Sequence, residues 1–302
     1  MADLQGIGRY ELLEKLGEGE SAAVYRGRDA LAGAAGTDLE VKILHPHVTC
    51  DDAIVRAFDE RCRVALMFRD KGALGVIEIT EADGRPYAIS EFVEGATLDA
   101  FQPRSGRMKL AWQAGALVLR GCLHTLVAAA QHTPALVHGK LNLASVVVDA
   151  DGIVRIRGFG TEGESQSDLL SLARLADQMT EDWPPEVDAW LDLLRAGDGG
   201  FSSPSEALDA LQAITMFDDK ALARGLSVLK RHAKRVIKKR TPTPPEPTPE
   251  KEDGAPGKVS TSHSPPPMTP EVLEASVGQA RVVALVCLGV VLVGIIIEVL
   301  MG

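Results

Sequence analysis

The chain has 302 residues, 45% of them hydrophobic but only 4% aromatic, and a formal net charge of −10 at pH 7. That content is ample for an aliphatic core and allows one large domain or two small ones. The charge is uneven: residues 215–240 carry nine Lys and Arg against two Asp, residues 241–302 carry three basic against seven acidic residues, and residues 1–214 hold the remaining −13. An acidic body with a short basic extension argues against nucleic-acid binding.

The cysteines and the N-terminus both suit a protein of the reducing cytosol. The four cysteines share no metal or redox spacing: Cys50, Cys62, Cys122 and Cys287. The N-terminal MADLQGIGRY contains no apolar run, so we expect no signal peptide.

Two strands, Tyr10–Leu16 and Ala22–Arg28, are predicted first, on either side of a turn that contains Gly17 and Gly19. A Gly-x-Gly turn is weak evidence on its own, because any hairpin can use glycine in this way. A third strand is predicted over Asp38–Leu44.

A helix is predicted over Ala53–Arg69, because apolar residues recur there at helical spacing. The turn Asp149–Gly152 ends in Asp-Gly between β-branched runs, which predicts a hairpin. The other elements predicted in the body are the strands Val76–Thr80, Pro86–Phe92, Ala144–Val148 and Ile153–Ile156, and the helices Leu110–Gln131, Pro184–Ala196 and Ser203–Ala213.

The stretch His138–Gly160, HGKLNLASVVVDADGIVRIRGFG, resembles the catalytic loop and metal-binding hairpin of the eukaryotic-like Ser/Thr protein kinases of bacteria. Their pattern is H-R-D-L-K-x-x-N followed by D-F-G. The resemblance puts Lys140 at the catalytic Asp, Ser145 at the metal-binding Asn and Gly158 at the Asp of D-F-G. A protonated lysine cannot act as a base, glycine offers no oxygen ligand and serine is a weak one. We therefore expect no catalytic residue and no metal site, and interpret the chain as a degenerate member, a pseudokinase.

The resemblance also assigns the nucleotide-binding positions of the first lobe. Gly17, Gly19 and Val24 would belong to the glycine-rich loop over ATP, and Lys42, within the run LEVK, would contact its phosphates. Glu40 stands where the family has a small residue against adenine. Because an unpaired buried carboxylate is costly, we expect no cofactor, or ATP at low affinity.

Residues farther along extend the resemblance. Helix 53–69 corresponds to the family's αC helix, and either Arg61 or Glu60 falls on its glutamate. The run Glu91–Leu98 resembles the hinge between the lobes, with Ser90 as gatekeeper. The start of the family's αF helix follows Gly160 after only six residues, which leaves no room for an activation segment. Gly200 replaces an arginine whose family partner, in A-P-E, is missing as well.

The resemblance implies an α+β fold with two lobes, a β-rich N-lobe and a helical C-lobe lacking the activation segment, over residues 8–214. Residues 215–240 form a predicted basic amphipathic helix with an apolar seam. That helix could pack on the body, pair with a second copy as a homodimer through 218–240, or lie on anionic lipid.

The remaining residues predict a membrane tether. Residues 241–281 are Pro-rich and predicted to be a disordered linker. Val282–Leu300 is apolar except for Glu298, and at about 1.5 Å per residue it reaches roughly 28 Å, enough for a transmembrane helix over 282–301. Basic residues before this span predict a single-pass topology with the body in the cytoplasm.

Two functions remain open from the sequence. The first is a membrane-tethered, non-catalytic scaffold or regulator that binds an active kinase or another signalling protein. The alternative is an atypical Ser/Thr kinase or a nucleotide-sensing protein, in which Lys140 and Arg157 replace metal charge. A third possibility is that the linker and anchor are the active part and the fold is a passive cap.

Overall fold

A computed structural model describes residues 5–102, 110–160, 167–214 and 218–240. Its first lobe is an antiparallel sheet of six strands in the order β1-β2-β3-β4-β6-β5, with one helix, α1, between β4 and β5. The strands are β1 Gly6–Ile7, β2 Tyr10–Glu18, β3 Ala22–Asp29, β4 Asp38–Leu44, β5 Val76–Ala82 and β6 Arg85–Glu91, and α1 is Asp52–Ala65.

The alternation along β4 decides which side chains face the space between the lobes. Val41 and Ile43 lie in the apolar cluster on one face of the sheet, and Leu44 packs with α1 on the other. Since side chains alternate along a strand, Glu40 and Lys42 share the face of Leu44. The predicted bounds of β4 are confirmed, and this face lines the cleft described below.

Helix α1 ends earlier than its periodicity predicts. It stops at Ala65 instead of Arg69, because Met67 N and Phe68 N donate to Val64 O and Ala65 O in a tight turn. That turn directs the buried Phe68 ring toward the second lobe.

The second lobe combines helices with a small sheet in the order β7-β8-β9. Asp149 Oδ1 accepts from Asp151 N and Ile153 N, and Gly152 has a φ of +78°, so the predicted Asp-Gly hairpin is present. The elements are β7 Gly95–Thr97, α2 Trp112–Gln131, β8 Val146–Asp149, β9 Val154–Ile156, α3 Asp168–Met179, α4 Pro185–Arg195 and α5 Pro204–Gln212.

The basic helix α6, Asp219–Arg240, packs on this lobe. Leu229, Ala233 and Val236 are buried in the same core as α2, and Gly225 lies so close to α2 that an added Cβ would stand 2.5 Å from Gln113 O. The compact body therefore continues past residue 214, where the domain was predicted to end. The seam faces the body, as the first of the three interpretations expects, and a homodimer through 218–240 stays a prediction.

Within the described residues, one helix is long and apolar enough to cross a membrane. It is α2, most of which is buried as a core helix of the second lobe. The predicted linker over 241–281 and the predicted transmembrane helix over 282–301 lie outside the described residues.

Candidate functional site

A cavity of about 790 Å³ opens between the two lobes. The glycine turn between β2 and β3 forms one wall, α1 and β4 form another, and the loop before β8 forms the floor. The predicted nucleotide-contacting residues all line it: Gly17, Gly19, Val24 and Lys42. Of the degenerate positions, Ser145 and Gly158 line the cavity, whereas Lys140 is exposed and is not part of its wall.

Asp168, the first residue of α3, holds the floor of the cavity in place. Its two carboxylate oxygens accept hydrogen bonds from the backbone N–H groups of His138 and Gly139, at 2.9 and 2.8 Å. The Nε2 of His138 lies 2.9 Å from Arg157 O, an acceptor only, so Nε2 carries the proton and Nδ1 accepts from Lys140 N at 3.2 Å. One carboxylate and one ring thus fix the backbone of the loop.

Phe159 connects this loop to the first lobe. Its ring packs edge-on against His138, 5.0 Å between centroids, and against Phe68, 5.2 Å away. The next residue, Gly160, lies directly on α1: Cys62 Sγ is 3.5 Å from Gly160 O, and a Cβ at Gly160 would stand 2.5 Å from Ala65 Cβ. The glycine is required by this close approach and by its φ of +71°.

The hydroxyl group of Ser145 forms hydrogen bonds within the loop itself. The Oγ donates to Asn142 O at 2.8 Å and accepts from Asn142 N at 2.9 Å. The Asn142 side chain accepts from Ala144 N and Ser145 N, and donates to Lys140 O. Asn142 lines the cavity, and sequence reasoning did not single it out, although Asn followed two and three residues later by small residues is a common side-chain-capped turn.

Glu40 is buried but paired. Arg157 Nη1 donates to Glu40 Oε2 at 3.3 Å, and the two side chains are 14% and 8% exposed. The concern that an unpaired carboxylate would be buried here therefore does not apply. Opposite Glu40 on β6 lies the predicted gatekeeper Ser90. The pair joins β4 of the first lobe to the residue before Gly158 in the second lobe.

The Glu40–Arg157 pair stands between the large cavity and the hinge. Both residues line the large cavity and also a second space of only about 20 Å³ beside the hinge. A volume of that size holds about one water molecule and no purine. The other residues around the small space are Leu16, Leu74, Phe92, Val93, Gly95, Thr97 and Val147.

On α1, the wall of the cavity contains an arginine. Arg61 lines the cavity and Glu60 is exposed, which decides between the two candidates left open by the sequence. Lys42 and Arg61 both act on the thiol of Cys62, but burial outweighs them and raises the pKa of Cys62 to about 12. The buried Nε of Arg61 has no hydrogen-bond partner among the described residues. The cavity thus contains two cations where the family has a lysine–glutamate pair.

In the ranges that the structure describes, no group of three or more His, Cys, Asp or Glu side chains could hold a metal ion. Gly158 has a φ of +95°, a backbone conformation that other residues rarely adopt. Gly200 stands where the kinase resemblance expects an arginine. A Cβ added to Gly200 would lie 1.8 Å from Leu193 O, so no larger residue fits at this position.

No protein-family model matches the chain. Curated relatives include the DNA damage-responsive serine/threonine-protein kinase RqkA of Deinococcus radiodurans, 29% identical over 158 residues, and the probable serine/threonine-protein kinase PknB of Lactococcus lactis, 24% identical over 152 residues. These matches cover 51% and 50% of this chain but only 22% and 23% of those proteins. The chain therefore spans less than a quarter of the length of these relatives.

Solved structures agree on the fold. The kinase domain of Mycobacterium tuberculosis PknI superposes with a TM-score of 0.57 at 21% identity, over 70% of this chain and 99% of that domain. The order of sheet, α1, hinge, loop and helical lobe is that of a protein kinase. The chain is similar to bacterial serine/threonine protein kinases over about half of its length and has a protein-kinase-like fold.

Proposed function

We propose that this protein is a catalytically silent kinase homologue, tethered at a membrane, that acts as a scaffold or regulator in signalling. The observation that carries the proposal is the floor of the cavity. Its backbone is held by Asp168 and His138 as in a working site, yet the positions of proton and metal chemistry are Lys140, Ser145 and Gly158.

Phosphoryl transfer needs metal ions on the phosphates and a group that orients the attacking hydroxyl. Gly158 has no side chain, the Ser145 hydroxyl is used within the loop, and the cationic Lys140 lies outside the cavity wall. None of the three can supply the oxygen ligands or the base. The site keeps a shape and lacks the groups that would act on a substrate.

The Glu40–Arg157 pair supports weak or absent nucleotide binding. It occupies the side of the cleft that faces the hinge, and the remaining space there is about 20 Å³. A purine could enter only after the pair separates and both charges are solvated again. A scaffold of this kind would bind another protein. Because the relatives are serine/threonine protein kinases, we propose an active kinase or another signalling protein as the partner.

A phosphotransfer assay tests the proposal directly. The purified chain is incubated with radiolabelled ATP, Mg²⁺ and a generic acceptor protein, beside a Lys42→Met variant. We expect no incorporation above background in either sample. Incorporation by the unaltered chain that the Lys42→Met change abolishes would overturn the proposal.

One observation favours a second candidate, an atypical or nucleotide-sensing kinase. Lys42 and Arg61 both line an open cavity of about 790 Å³ next to the glycine turn, and two cations could neutralise phosphate charge without metal. Thermal unfolding with ATP, with and without Mg²⁺, separates the candidates. A shift that does not require metal supports nucleotide sensing, and no shift supports the scaffold.

A further inference from the structure

The inner face of helix α6 is buried against the body of the protein. Leu229 and Ala233 are 0% exposed and Val236 is 9% exposed. At about 100° per residue, these positions fall on one side of the helix. Only the opposite side of α6 is available to anything else.

That opposite side is basic. Arg231, Lys234, Arg235 and Lys238, here called the outer stripe, follow each other at intervals of three, one and three residues, and all four are exposed. The same angular step centres them roughly 180° from the buried face. Between Lys220 and Arg240 the sequence contains no Asp or Glu.

No described residue of the body neutralises the outer stripe. Among the described residues, no carboxylate lies within ion-pair distance of its four side chains, and the one polar contact is between Arg235 and His232 at 3.5 Å. The charges of the outer stripe also act on the neighbouring His232. Burial lowers the pKa of His232, and the positive charges of Arg235 and Arg231 lower it further.

The outer stripe is unfavourable for an isolated body. Like charges three and four residues apart repel each other on a helix, and the end of the helix dipole offsets only part of this. A protein with a net charge of −10 does not need these cations for solubility. An anionic partner that meets all four side chains at once would remove the repulsion.

We propose that the outer stripe docks α6 on the anionic phospholipid surface of a membrane. The four side chains lie in a row of roughly 10 Å along a straight helix, a shape that suits a flat surface. At physiological salt only charges within about 8 Å count, so the acidic body behind the helix is largely screened. This inference rests on the proposed function in one respect: the membrane tether would bring α6 close to a bilayer.

The test uses the full chain in nanodiscs of neutral phosphatidylcholine, or of phosphatidylcholine with about one third phosphatidylserine. Amine labelling followed by mass spectrometry reports the exposure of Lys234 and Lys238, relative to the exposed Lys71. Each lysine or arginine near an anionic membrane surface raises the affinity for that surface about fivefold. Labelling of both lysines should therefore be at least fivefold slower in anionic discs than in neutral discs. The protection should disappear in about 0.5 M salt.

The matched variants keep both reporters. Arg231→Gln/Arg235→Gln removes half of the outer stripe and should bring labelling in anionic discs to within about twofold of neutral discs. Arg56→Gln/Arg174→Gln removes two exposed cations elsewhere and should leave the protection intact. Circular dichroism establishes that both variants retain helix content.

The outcomes separate this inference from the tether. Incorporation into both kinds of disc with equal labelling overturns the docking surface and leaves the tether standing. If the chain does not incorporate, flotation with anionic but not neutral vesicles supports the docking surface alone, and flotation with neither overturns both. Equal protection by single-stranded DNA in solution would mark a general polyanion site and would also overturn the proposal.

Discussion

The cleft and the loop beneath it match the kinase resemblance to different degrees. In the loop, Asp168 accepts hydrogen bonds from two backbone N–H groups and the His138 ring packs on Phe159. In the cleft, Ser145 and Gly158 stand where the kinase resemblance expects a metal-binding Asn and Asp, and Glu40 and Arg157 contact each other beside the hinge. We therefore expect the packed framework to carry the stability of the fold, and the proposed lack of catalysis to depend on the cleft.

The most severe test of the framework is Phe159→Ala. The ring is 2% exposed and joins His138 to Phe68, so its removal leaves a cavity between the lobes. We expect unfolding free energy to fall by about 3–5 kcal/mol, measured by chemical denaturation. Phe92→Ala, at the partly exposed hinge, should cost less than half of that. Equal costs would mean that the Phe159 stack is not a special part of the framework.

The Glu40–Arg157 pair comes next. Glu40→Ala leaves a buried, unpaired Arg157 and should destabilise the fold by about 3 kcal/mol, the lower end of the range for buried pairs. Glu40→Leu/Arg157→Met removes both charges and should be close to neutral. The two variants are compared by denaturation under identical conditions.

The same double variant sharpens the comparison functionally. Both charges are then absent and methionine is shorter than arginine, so we expect an ATP-dependent thermal shift, whereas we expect none for the unaltered chain. If the double variant is as unstable as the single one, the pair does not act through mutual neutralisation. If it is stable but still shows no shift with ATP, the pair is not what excludes the base.

Asp168→Ala tests the backbone of the loop. Two charge-assisted hydrogen bonds to His138 N and Gly139 N are lost, and we expect a cost of about 2–3 kcal/mol. Asp177→Ala, on the exposed side of the same helix and paired with Arg195, should cost under about 1 kcal/mol. A cost at Asp168 no greater than at Asp177 would show that the loop holds itself.

Much of this framework could be predicted from the sequence. Strand β4 was predicted with its observed ends, because apolar alternation bounded by polar residues defines a strand well. The Asp149–Gly152 turn was predicted from its Asp-Gly pair. Strands β2 and β5 extend two residues beyond their predicted ends, since pairing across the sheet, which local pattern does not contain, decides where a ladder stops.

The contacts that shape the cleft could not be predicted in this way. Glu40 and Arg157 are 117 residues apart, so their pairing depends on how two lobes close and on no local pattern. Whether Arg61 or Glu60 points into the cavity depends on the rotation of α1 about its axis. A one-residue uncertainty in matching the helix to the family pattern leaves that rotation undetermined. For α6, periodicity showed an apolar seam without showing that α2 would cover it.

The smallest expected effect tests whether α6 belongs to the framework. His232 packs 5.3 Å from Phe101, and burial, followed by the charges of Arg235 and Arg231, lowers its pKa in the folded state. The unfolded chain, with an ordinary histidine pKa of about 6.5, therefore binds the proton more readily than the folded one. The contribution of His232 to stability should thus be fully present above about pH 7 and decline as the pH falls through 6.5.

The measurement compares thermal unfolding at about pH 7.5 and pH 5.5 for the unaltered chain, His232→Gln and His124→Gln. His124, the exposed histidine of α2, supplies a control variant that also loses one histidine. His232→Gln should reduce the loss of stability at acidic pH, by a small amount because the ring is only partly buried. An unchanged pH dependence in His232→Gln would mean that this end of α6 separates from Phe101 in solution. The helix would then lie outside the packed framework.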